Sequence, residues 1–199
     1  MSIFDSLKRG AANALKKEAV KATNQAVQNV GKGRNHSETF TFSALPQNLG
    51  QLQALPEASL DTAYKATALT ILALCRYEHS PEDAIEMLNF LKGPVDLSNY
   101  EKQFIKERLT GKSYIPRSYL GGATPANSYA PTQPYTIKVS CTPYSFDNEN
   151  WATLYVTSGG ADNPRPIKLR QKPSTGQWFL NDIQCLAEIR VPVADDPWA

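Results

Sequence analysis

Residues 113–135, SYIPRSYLGGATPANSYAPTQPY, hold four prolines, two glycines and four tyrosines. A proline fixes φ at about −65° and removes a backbone donor, so prolines at this density rule out both a helix and a central strand. The chain must therefore fold as two regular halves joined by an irregular segment. Such a long irregular stretch is uncommon unless it packs on the surface or has a role of its own.

The half before this segment is written in helix patterns. Residues 57–77, EASLDTAYKATALTILALCRY, place Leu60, Ala63, Ala66, Thr67, Ile71 and Leu74 on one helical face. Ser80, Pro81 and Asp83 then form a helix start, and Gly93 and Pro94 a stop. Ser98 and Glu101 repeat the start signal, Tyr100, Phe104, Ile105 and Leu109 supply the apolar face, and Gly111 closes the element.

The half after it is written in strand patterns. YTIKVSCT at 135–142, WATLYVT at 151–157, RPIKLRQK at 165–172 and QWFLNDI at 177–183 alternate in part and are rich in β-branched and aromatic residues. PSTG at 173–176 is a hairpin turn, and 184–190 reads as a short terminal helix or strand. Phe40 and Phe42, alternating with Thr, add a short strand ahead of the helices. Helices followed by consecutive strands predict one α+β domain over 39–199, with helices on one face of a curved antiparallel sheet. One variant of this fold is a cone-like roll enclosing a helix-lined cavity.

Residues 2–31 differ from the rest. They are rich in Ala, Lys and Gln, lack Pro, and predict a separate amphipathic helix, with GKGRNHSET beyond it reading as a linker over 32–38. Ile3, Phe4, Leu7, Ala11 and Leu15 share one face, and Phe4, Leu15 and Ala26 recur every 11 residues. Residues 1–36 carry a net charge of +5 and the remainder −3. A basic amphipathic helix of this kind packs on its own domain, binds a partner helix or another copy of itself, or lies on an anionic membrane. The bulky residues Ile3, Phe4, Leu7 and Leu15 are its expected contact surface. The apolar face is otherwise mostly Ala, which predicts weak, reversible membrane attachment.

Several chemistries find no support. Cys75, Cys141 and Cys185 are odd in number and widely spaced, which reads as buried thiols in a reducing compartment rather than disulfides or a metal site. His36 and His79 neighbour no nucleophile or metal-ligand pattern. GKGRN at 31–35 lacks the phosphate-loop spacing. The acidic balance of 37–199 opposes a nucleic-acid footprint. No apolar run spans a bilayer and no secretory leader is evident, so a cytoplasmic location is expected, peripheral to the membrane at most. The reading leans away from an enzyme and implies no cofactor.

SGGADNPRPIKLR at 158–170 bears on function most directly. As a turn between strands, Gly159 and Gly160 supply positive φ, Asp162 and Asn163 make turn bonds, and Pro166 marks an edge position. As a ligand site, Arg117, Asp162, Arg165 and Arg170 line one anion-accepting cleft, since guanidinium forks suit carboxylates and phosphates. Arg165, held between two prolines, is a structural brace or a ligand hook.

PRSYLGGATPANSY, PYTI, SGGADNPRPIKLR, GQWFL and IRVPVADDPWA together resemble a bacterial domain of unknown function found in single-domain cytoplasmic proteins. The resemblance covers roughly residues 38–199 and implies no activity. The helix at 2–31 lies outside it. The expected function is a non-catalytic binding module whose N-terminal helix mediates assembly or surface attachment. The alternative is a small-ligand receptor or enzyme using the arginine cleft.

Overall fold

Each strand of this chain pairs with its neighbour in chain order. In the computed structural model, which describes residues 31–198, the strands are β1 (His36–Phe42), β2 (Tyr135–Cys141), β3 (Trp151–Val156), β4 (Arg165–Gln171) and β5 (Trp178–Ile183). They form one open antiparallel sheet in the order β1-β2-β3-β4-β5. Period-two alternation sends Ile137, Val139, Ala152, Leu154, Ile167 and Leu169 to the buried face. Lys138, Trp151 and Arg170 occupy the exposed one.

The helices are α1 (Leu49–Gln53), α2 (Ala63–Arg76), α3 (Pro81–Lys92), α4 (Asn99–Leu109) and the single turn α5 (Tyr114–Arg117). α2 lies across β2 to β5 on the buried face and is packed by α3. Every residue of 66–75 is buried as a result. Thr67 and Thr70 are tolerated there because their hydroxyls donate to Ala63 O (2.9 Å) and Ala66 O (2.8 Å). The predicted starts are real: Ser80 Oγ accepts from Asp83 N, and Ser98 forms a reciprocal capping box with Glu101.

Four local readings change. The helix expected over 57–77 begins only at Ala63, after a 3₁₀ turn (Pro56–Ser59) and Leu60 at φ 53°. Leu60 O instead accepts from Trp178 N at the start of β5 (2.8 Å). β1 starts at His36, inside the stretch read as a linker, because residues 36–42 find a partner in β2 along their whole length. Residues 184–190 form neither helix nor strand. Pro116 sits inside α5, contrary to the exclusion of helix from 113–135. A single turn tolerates it, since first-turn N–H groups have no intrahelical partner.

Pro166 is also not at an edge, since β4 lies between β3 and β5. Gln171 N donates to Asn150 O toward β3 (2.8 Å), so strand alternation turns the imide side of Pro166 toward β5. The β4–β5 ladder ends one residue short of it, at Ile167. The missing donor therefore costs no ladder bond.

The true edge at β5 is guarded. Asn181 is the extra residue of a bulge, and its carbonyl accepts from Lys92 Nζ (3.3 Å). Among the described residues no helix is long and apolar enough to cross a membrane. The expected N-terminal helix, with Ile3, Phe4, Leu7 and Leu15, lies outside the described residues.

Candidate functional site

Three stretches far apart in sequence meet at one end of the domain: the irregular segment, the β3–β4 turn and the tail after β5. Gly159 N donates to Ser118 O (2.8 Å), and a Cβ at Gly159 would collide with Ala123 O. Ser158 Oγ donates to the buried Ser118 Oγ (2.8 Å) and accepts from Gly160 N (3.1 Å). Arg190 N donates to Gly160 O (2.9 Å), while Tyr129 OH donates to Arg190 O (2.6 Å). Tyr119 OH donates to Cys185 O, and the Tyr114 and Tyr129 rings stack at 5.7 Å.

The two glycines are thus required for close approach. Neither is among the residues with positive φ, contrary to the expectation for this turn. Burial pushes the phenols of Tyr114, Tyr119 and Tyr129 above their ordinary range, so all three stay neutral, and Tyr119 and Tyr129 act as hydrogen-bond donors.

The four residues expected to share a cleft do not share one. Arg165 Nη2 donates to Glu188 O (2.9 Å) and Nη1 pairs with Glu188 Oε2 (2.7 Å), so Arg165 braces the tail. Asp162 pairs with Arg190 rather than with turn backbone. Arg117 pairs with Glu78 and lines a cleft of about 650 Å³ beside Arg76, His79 and Tyr135. Arg170 lies on a different surface, its guanidinium 5.1 Å from the Trp151 ring centroid.

Arg170 lines a second cleft, of about 480 Å³, between the loop after α3 and the β4–β5 hairpin. Lys92, Val95, Lys172, Pro173 and Phe179 line it too. None of these five was singled out in the sequence. Arg170 and Lys172, two apart at the end of a strand, were a faint signal for one wall. The other wall comes from the 93–97 loop, which no sequence spacing connects to that strand.

Other reactive groups are occupied or buried. His36 packs edge-on against Tyr64, with Nε2 3.4 Å from Glu38 Oε1. Burial raises the thiols of Cys75 and Cys185 to about 12, and all three cysteines are unpaired and buried. Such thiols are poor nucleophiles. Among the described residues no group of three His, Cys, Asp or Glu is placed to hold a metal ion.

A family described as a domain of unknown function, DUF6935, matches residues 44–193. The chain belongs to the DUF6935 family. That match covers α1 through α5, β2 through β5 and the three-way junction, but not β1. The DUF6935 boundary therefore falls just after a strand that is integral to the sheet here. No curated protein and no solved structure matches the chain.

Proposed function

We propose that this DUF6935 protein is a non-catalytic binding module, with a folded domain carried on a basic N-terminal helix that mediates assembly or attachment to an anionic surface. One observation carries the reading: the charge changes sign where the sheet begins. Residues 1–36 hold +5 and the remainder −3, and β1 opens at His36. Among the described residues, the sheet and its helical layer are built from residues 36–183. Each lysine or arginine near an anionic membrane contributes about 1 kcal/mol, screened by salt. Attachment through a mostly alanine face is accordingly reversible and salt-sensitive.

Arg117, Asp162 and Arg165 are each in an internal ion pair, so no observation favours a receptor or enzyme built on the four expected cleft residues. The test is deletion of residues 1–30. The remaining chain keeps a cooperative thermal transition by circular dichroism. Sedimentation velocity shows a smaller species than the full chain, or co-sedimentation with phosphatidylserine vesicles is lost. The first result identifies assembly and the second a membrane surface. A truncated chain that matches the full chain in both measurements overturns the proposal.

A further inference from the structure

The described arginines differ in what their donors already hold. Arg76 bonds Asp83 and Gln47, Arg117 pairs with Glu78, Arg165 with Glu188 and Arg190 with Asp162. Arg76 and Arg117 line the larger cleft with their charges already met. Arg170 makes no ion pair or side-chain hydrogen bond among the described residues, yet it lines the 480 Å³ cleft. Its guanidinium carbon lies over the Trp151 ring, a cation–π contact that uses none of its N–H donors.

The surroundings fit an anion. Lys92 and Lys172 line the same cleft, and no carboxylate does. Lys92 is held by Glu101 Oε1 (2.6 Å) and Asn181 O (3.3 Å), so its charge is largely met. Lys172 makes no ion pair among the described residues and is exposed. Two uncompensated cations therefore stand two residues apart at one end of the cleft.

Apart from Gln171 and Asn181 the rest of the wall is apolar, and it is preformed. Phe179 lies beneath Gly93, whose φ of 82° lets the loop approach so closely that a Cβ would sit 2.8 Å from the ring Cγ. Asn89 Oδ1 accepts from Leu97 N (3.0 Å) and fixes the far end of that loop. Gln171 Nε2 donates to Gly176 O (2.9 Å) and fixes the hairpin. Val95, 70% exposed, projects from the loop.

We propose that this cleft binds a small anion with a flat apolar body, such as an aromatic carboxylate or phosphate monoester. Arg170 and Lys172 receive the charged head, and Phe179, Val95 and Pro173 receive the body. The volume lies within the range of small-molecule sites, about 300–1,000 Å³. The cleft is formed from residues 92–181, so its test is independent of deletion of the N-terminal segment.

Phenyl phosphate and benzoate are titrated into the ¹⁵N-labelled full chain and followed by amide and indole NMR shifts. Inorganic phosphate and benzyl alcohol, each carrying one half of the recognised chemistry, run alongside. The expected result is shift changes confined to Val95, Lys172, Phe179 and the Trp151 indole, with binding weakened by salt. Replacing Arg170→Gln together with Lys172→Gln raises the apparent Kd about 10- to 100-fold, the loss of charge-assisted bonds. Val95→Asp, on the opposite wall, weakens binding without touching either cation, and serves if the double variant fails to fold. Arg117→Gln leaves the titration unchanged. Scattered or absent shifts, an unchanged Kd in the charge-altered variants, or inorganic phosphate binding as tightly as phenyl phosphate would overturn the proposal.

Discussion

At Gly159 the fold leaves no room for one more carbon. The Ala123 carbonyl occupies the place of a Cβ, and a backbone atom cannot swing aside as a flexible side chain can. Gly159→Ala is expected to cost about 1–3 kcal/mol, the range for forced overpacking, measured as a lower urea midpoint at unchanged m-value. Pairs of glycine in a turn announced conformational freedom, whereas the need was for close approach by a segment some 40 residues earlier. The thiols carry a second prediction. Burial raises Cys75 and Cys185 to about 12 from an ordinary value of 9.0. Above pH 9 the unfolded chain releases these protons and the folded chain keeps them. The associated stability is present below pH 9 and is lost as the pH rises toward 12. Urea unfolding at pH 8 and pH 10 should show that decline. Ellman's reagent at pH 8 should label both thiols only after denaturant is added.

Elements were legible where their signals are local. The Ser80 and Ser98 caps act within three residues, so sequence alone located the starts of α3 and α4. Ser98→Ala removes the side-chain acceptor for Glu101 N and should cost about 1 kcal/mol by thermal or urea unfolding, with the larger effect on α4. Four of the five strands fell within a residue of their expected ends, because alternation between faces is written in adjacent positions. The errors occurred where a distant partner decided. Residues 57–62 have helical composition, yet Leu60 turns its carbonyl to β5, and the helix waits for the Thr62 cap. Residues 36–38 read as linker because their strand character shows only beside β2, about a hundred residues later.

For the whole molecule, the order of helices and then strands determined an α+β architecture, with short connections joining successive strands of the C-terminal half. The irregular middle segment takes its place by tying the β3–β4 turn to the tail, through Ser118, Tyr119 and Tyr129. The N-terminal deletion, with its paired sedimentation and vesicle readouts, belongs at this scale because it asks what the folded unit does without its basic extension. Sequence by itself determined the elements, the charge division and the family, since propensity, capping and alternation act over a few residues. Only the tertiary structure decided which charges were already spent. Arg190 meets Asp162 across 28 positions, Arg117 meets Glu78 across 39, and Lys92 meets Asn181 across 89. Such pairings depend on how the layers pack, and that packing left Arg170 with its donors free beside an apolar cleft.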